Sequence, residues 1–167
     1  RLLAAEAVAR QAGRLARRYY DDRTNLAVEF KGVQDLVSAA DRAVEELIIS
    51  KLGGAFPWDS FLCEEGGVTS EGDLAGDRLW VIDPIDGTAN FLRGIPHWAV
   101  SIAYMVAGKV EIGVAYDPMA DELYSARRGG GATRDGTPIR VSDCDALDKA
   151  LVGIGFSYRR PPSVHVA

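Results

Sequence analysis

Nine residues, Trp80-Val81-Ile82-Asp83-Pro84-Ile85-Asp86-Gly87-Thr88, set two carboxylates close together at the end of an apolar run. Pro84 fixes the backbone after Asp83, and Asp86 follows three residues later on the same turn. Gly87 lets the chain approach a ligand closely. Thr88 can open a helix whose first N–H groups have no internal partner and point at any anion placed there. A divalent cation beside a phosphate suits this arrangement. The competing reading is a tight turn with an N-cap, and for Asp-Pro-x-Asp-Gly alone that reading leads. Asp117-Pro118-Met119-Ala120-Asp121 has similar turn chemistry between two predicted strands and is read as a turn only.

Glu64 also follows an apolar run, Phe61-Leu62-Cys63, and a carboxylate there could face Asp83 across neighbouring strand ends. Mg²⁺ takes octahedral oxygen shells built from a few carboxylates, waters and substrate oxygens. Glu64, Asp83, Asp86 and one backbone carbonyl would therefore suit one or two ions. A solvated Glu64-Glu65 loop pair explains the local sequence equally well. Asp41 stands at the N3 position of a helix that Ser38 could cap, so a structural role fits its surroundings at least as well as catalysis. His97 reads as structural or surface, and His165 has no evident partner. Cys63 reads as packed, with nothing to suggest a nucleophilic thiolate. No Gly-x-Ser-x-Gly elbow occurs, and Gly129-Gly130-Gly131 lacks the Lys-Ser or Lys-Thr of a phosphate loop.

The elements that must position these residues follow from periodicity. Leu2, Ala5, Val8, Ala12, Leu15 and Tyr19 recur at helical spacing, with Arg10, Arg14, Arg17 and Arg18 mostly opposite, which predicts an amphipathic helix of about twenty residues. A short strand is expected over 26–30, with a turn at Lys31 and Gly32. A second helix is expected over 39–52, stopped by Gly53 and Gly54. Phe61–Cys63 and Leu79–Ile82 read as buried strands ending at carboxylates. A short helix is expected from Thr88 to Leu92, then strands over 98–106, 110–116, 122–127 and 138–141 joined by tight turns, with Gly129–Gly131 a flexible connection. The class is α+β: two N-terminal helices packed on an antiparallel meander. Residues 1–150 are expected to form an N-terminal metal-binding domain. Residues 151–167, with a strand over 151–156, would open a C-terminal α/β domain whose remainder is missing, so the chain is expected to be part of a longer protein.

Composition narrows the function. The 167 residues carry 24 acidic and 19 basic side chains, a net charge of −5. Twelve of the acids, against three bases, fall between residues 35 and 86, whereas residues 1–23 hold six Arg against three acids. A concentrated acidic stretch argues against nucleic acid as a partner and for hard oxygen ligands to a cation; the Arg-rich first helix is the exception. Hydrophobic residues at 47% and only two cysteines suit a globular protein of a reducing cytoplasm, and no apolar run is long enough for a membrane span.

The stretch Trp80–Thr88, with Asn90-Phe91, Pro96 and Ala99-Val100-Ser101-Ile102, resembles the signature of the inositol monophosphatase family. The resemblance extends to Lys31-Gly32, Asp35-Leu36-Val37-Ser38 leading to Asp41, Glu64-Glu65, and Gly113 through Pro118. It implies a layered α/β sandwich of the sugar-phosphatase type and a Li⁺-sensitive phosphomonoesterase of sugar or cyclitol phosphates. Two or three Mg²⁺ ions and a homodimer are implied with it. By that resemblance Glu64, Asp83 and the carbonyl of Ile85 hold the first metal, and Asp83 with Asp86 holds part of the second. Thr88, bonded to Asp41, helps Glu64 and the metal to activate water. The N–H groups of Gly87 and Thr88, beside Asp86, hold the phosphate. The family's later Trp-Asp motif is absent here, together with the residues that grip the substrate ring. The expected reaction is hydrolysis of a small phosphate monoester, inositol monophosphate first. Histidinol phosphate, fructose 1,6-bisphosphate and an adenosine phosphosulfate nucleotide are sister substrates. A non-enzymatic RNA- or protein-binding role on the same fold is the alternative from another class.

Overall fold

A computed structural model describes residues 1–25, 28–32, 35–64, 67–68 and 78–152. Helix α1 (Leu2–Asp21) turns Ala5, Val8, Ala9, Ala12 and Ala16 inward, and this stripe of small side chains lets it lie close against the sheet. Strands β1 (Val28–Gly32) and β2 (Asp35–Ser38) form a small antiparallel pair that leads directly into helix α2 (Ala39–Ala55). Then come β3 (Ser60–Cys63), β4 (Gly67–Val68), β5 (Arg78–Asp86) and helix α3 (Thr88–Arg93). The meander follows: β6 (Ala99–Val106), β7 (Lys109–Asp117), β8 (Glu122–Arg127), β9 (Gly131–Arg134) and β10 (Thr137–Ile139).

Eight of these strands form one sheet in the order β10-β9-β8-β7-β6-β5-β3-β4, with α1 lying against β6, β7 and β8 and α2 against β5. Alternation in the strands places Trp80, Ile82, Val100, Ile102, Tyr104, Ile112, Val114 and Tyr116 under the helices, where they meet Val44, Ile48 and Leu52 of α2. The α+β class and the helices-on-sheet arrangement are as expected. The sheet differs in being mixed, because β3 runs parallel to β5, with Cys63 paired to Ile82.

Other differences are local. The α2 helix continues through Gly53 and Gly54. Two glycines cost helix propensity, but Phe56 N–H still bonds Leu52 C=O at 2.7 Å, and the helix ends only ahead of Pro57. The turn expected at Lys31-Gly32 is the end of β1 instead, while the 26–27 portion of the expected first strand is outside the described residues. Of the segment expected as a flexible glycine connection, Gly129 and Gly130 do join β8 to β9, whereas Gly131 already opens β9. Residues 151–152 carry no strand, and 153–167, which hold the rest of the expected last strand and of the C-terminal unit, lie outside the described residues.

One polar cluster ties α1 to the central strand. The Asp59 carboxylate, 1% exposed, accepts from Arg1 Nε at 2.9 Å, from Arg1 Nη2 at 3.1 Å and from Trp80 Nε1 at 3.0 Å. The Arg1 guanidinium also lies over the rings of Phe56 and Tyr104. Close approach is equally strict farther along α1, where a Cβ on Gly13 would run into the Tyr116 ring and come within 2.8 Å of Pro118 Cγ. Gly13→Ala is thus expected to destabilise by about 1–3 kcal/mol in a urea melt. A gain near the ~1 kcal/mol of helix propensity would show that the ring yields.

Candidate active site

The parallel pairing of β3 with β5 brings two acidic positions side by side. Cys63 and Ile82 are partners, Glu64 N–H bonds Ile82 C=O at 3.2 Å, and so Glu64 and Asp83 leave adjacent strands together. Asp86 reaches the same place through an irregularity. Against β6, Asp83 pairs with Ser101 but Asp86 pairs with Ala99, which leaves one extra residue on β5 at Pro84-Ile85. Strict alternation would send side chains three apart to opposite faces. The bulge returns Asp86 to the side of Asp83, and Pro84, having no N–H, is suited to an interrupted ladder.

Burial, then the charge and hydrogen bond of Glu64, then the charge of Asp86 push the Asp83 carboxyl up to about 8. Its Oδ1 is buried and has no hydrogen-bond partner among the described residues. A buried acceptor without a donor, surrounded by two more carboxylates, is an uncompensated arrangement that a cation would relieve. The donor set is all hard oxygen, as Mg²⁺ prefers. Among the described residues no three His, Cys, Asp or Glu side chains are already closed into a metal cage.

Thr88 stands at the first position of α3, behind Gly87, whose φ of 102° is in the left-handed region. A Cβ on Gly87 would lie 3.1 Å from His97 O and 3.3 Å from Trp98 Cα, so both the backbone angle and the close approach require glycine. The Thr88 hydroxyl is 3.1 Å from Asp41 Oδ1 and 3.0 Å from Ile85 O. With a single proton, it donates to one acceptor at a time and keeps lone pairs for a further donor. Asp41, in the first turn of α2, is 1% exposed and 47 residues away in sequence, so its carboxylate serves α3 as well as its own helix.

A cavity of about 270 Å³ opens beside Asp86 and Gly87, walled by Asn90, His97, Trp98 and Asp117. Asn90 Nδ2 donates to His97 O at 2.8 Å and pins this wall. Asp117 accepts from the N–H groups of Met119 and Ala120, as the turn reading requires, yet it also borders the cavity, which the turn reading did not suggest. Cys63 is buried near Glu45, and burial, with that charge behind it, pushes its thiol up to about 12, in keeping with a packed role. The buried indole N–H of Trp98 also lacks a partner among the described residues.

The inositol monophosphatase family model matches residues 1–166. The chain belongs to the inositol monophosphatase family. An inositol monophosphatase relative from Mesorhizobium japonicum, named inositol-1-monophosphatase, is 43% identical over 150 residues, covering 90% of this chain and 56% of its own length. A Pseudomonas aeruginosa protein named Nus factor SuhB is 42% identical over 151 residues, with the same two coverages. Among solved structures, the extragenic suppressor protein suhB from Bartonella henselae superposes with a TM-score of 0.80 at 42% identity, covering 84% of this chain and 54% of that one. The chain thus spans about half the length of the inositol monophosphatase relatives it matches. Among the described residues no helix is long and apolar enough to cross a membrane.

Proposed function

We propose that the protein hydrolyses small phosphate monoesters in a Mg²⁺-dependent reaction, with inositol monophosphate the first substrate to test. The observation that carries this reading is the buried, partnerless Asp83 Oδ1 crowded by Glu64 and Asp86, one turn from the Thr88–Asp41 pair. Glu64, Asp83, Asp86 and the Ile85 carbonyl would hold the metal; a carbonyl oxygen has two lone pairs, so Ile85 can do so while accepting from Thr88. When bound, Mg²⁺ offsets phosphoryl charge and makes water more acidic. Buried Asp41 accepts from the Thr88 hydroxyl and orients it so that its free lone pair takes a hydrogen bond from the attacking water; as the water gives its proton to Thr88 Oγ1, the hydroxyl's own proton passes to Asp41, and Glu64 would assist. The new oxygen–phosphorus bond forms in line with the ester bond that breaks, a reaction that demands positioning and charge rather than a protein nucleophile. The N–H groups of Gly87 and Thr88 would receive the phosphate oxygens.

A phosphate-release assay with inositol monophosphate tests this reading. It is run with Mg²⁺, with chelator and with Li⁺, alongside histidinol phosphate, fructose 1,6-bisphosphate and an adenosine phosphosulfate nucleotide. Turnover that needs Mg²⁺ and falls with Li⁺ is expected; no release from any of the four with Mg²⁺ present would overturn the reading. Two or three ions and a homodimer belong to the same proposal. The acidic stretch does not exclude nucleic acid as a partner: the first helix carries a surplus of arginine, and a relative at 42% identity bears the name Nus factor rather than that of a phosphatase. An interaction role is therefore the second reading.

A further inference from the structure

We propose that the groove between α1 and the β7–β8 turn docks an acidic, amphipathic segment of a partner protein. This groove, about 520 Å³ in volume, shares no lining residue with the cavity beside Asp86. Its rim is Arg14, Arg17 and Arg18, its floor Leu15, Leu47 and Pro118 beside Tyr116, and among the described residues no acidic one lines it. Three carboxylates on the elements that form the groove are engaged. Asp21 pairs with Arg17 at 3.1 Å, Asp121 accepts from Tyr116 Oη at 2.7 Å, and Asp117 caps two backbone N–H groups. Arg10, one turn before Arg14, is held by Asp135 at 2.8 Å and stacks over Tyr116. Arg17 also donates to Pro118 O at 3.3 Å. Arg14 and Arg18 are exposed and make no hydrogen bond or ion pair with a described residue through their side chains, in a protein whose net charge is −5.

Charge complementarity fixes the sign of the partner, and the floor fixes its type. Arg14 and Arg18 are one helical turn apart, about 6 Å along the axis, which is the spacing of carboxylates at i and i+4 on another helix. An apolar side chain between those carboxylates would enter the groove, the helix-in-groove mode of recognition. A phosphodiester strand would use the rim alone. Its bases need open aromatic faces to stack on, and Tyr116 is only 4% exposed.

Fluorescence anisotropy with a fluorescein-labelled helical peptide, Glu at i and i+4 flanking Leu, tests the proposal on the intact chain. Saturable binding is expected, weakened about fivefold or more by the double variant Arg14→Glu/Arg18→Glu. A Leu→Ser change in the peptide should weaken it as well, with the melting temperature of the protein variant unchanged. Should that variant melt early, Arg14→Gln and Arg18→Gln singly replace it and are expected to act in the same direction. No saturable binding, or binding indifferent to the arginine changes, overturns the proposal. So does a single-stranded RNA that binds more tightly than the peptide, with a steep salt dependence lost in the same variants.

Discussion

Asp41→Asn and Thr88→Ala are each expected to slow turnover about 10²-fold or more, and the double variant to be little worse than either. Losing a group that directs a proton in the transition state has an effect of this size. Residues acting as one unit do not add, because the first substitution already removes what the second would. The geometry behind the expectation is the 3.1 Å contact between Thr88 Oγ1 and Asp41 Oδ1, made by a carboxylate with almost no access to solvent. A carboxylate that only supported its own helix would behave differently. Asp41→Asn would then lower stability by about 0.5–1 kcal/mol and leave turnover nearly intact. Additive losses in the kinetic cycle at saturating Mg²⁺ would mean that the two residues do not work together and would return Asp41 to the helix cap.

Asp83→Asn is expected to abolish Mg²⁺-dependent activity and, in metal-free protein, to raise the melting temperature at pH 8. A folded carboxyl that titrates at about 8, against ~3.9 in an unfolded chain, keeps its proton in the native state through the interval between them. The native state then binds more protons than the unfolded state. Stability is full at low pH and is lost as pH rises through that interval toward 8. Asparagine is isosteric, cannot ionise and can donate to Glu64, so the variant should show a flatter dependence of melting temperature on pH between 4 and 8. Mg²⁺ should stabilise the parent protein at pH 8 and leave the variant unmoved. Identical pH dependences for the two would mean that Asp83 does not carry the burden its surroundings imply.

How much of this was legible in the sequence depended on how far apart the interacting residues lie. The runs Phe61–Cys63 and Leu79–Ile82, each ending at a carboxylate, announced two buried strands, and their adjacency followed from the shared pattern. The direction of pairing did not. The continuous apolar run of Leu79–Ile82 suits a strand with a parallel neighbour, but the sheet class rests on the antiparallel meander that follows, and nothing local assigns a direction to the pairing of 61–63 with 79–82. The bulge at Pro84-Ile85 was hidden because three-residue spacing looks like a turn until the partner strand shows the offset. The β1–β2 hairpin escaped because its second strand, Asp35–Ser38, doubles as the lead-in to α2 and offers only two apolar residues.

Long-range polar contacts were the least legible. Asp59 sits after Pro57-Trp58, where an acid reads as an ordinary loop residue; its partners, Arg1 and Trp80, are 58 residues before it and 21 after it. Asp41 presented a helix-cap pattern locally, and only the family resemblance pointed from it to Thr88. The arginines of α1 were visible as a charged face. That two of them stand over an apolar groove while their neighbours are neutralised required the fold.

The claim on which the functional account depends is that Glu64, Asp83 and Asp86 form a cation site. Titration calorimetry of Mg²⁺ into the metal-free protein at pH 7, repeated in buffers of different ionisation enthalpy, tests it most directly. The account expects saturable binding with about one proton released, since a carboxyl that titrates near 8 must give up its proton to the ion. It also expects that binding to be lost in Asp83→Asn. Unchanged Mg²⁺ affinity in Asp83→Asn, or binding with no proton released in any buffer, would contradict it.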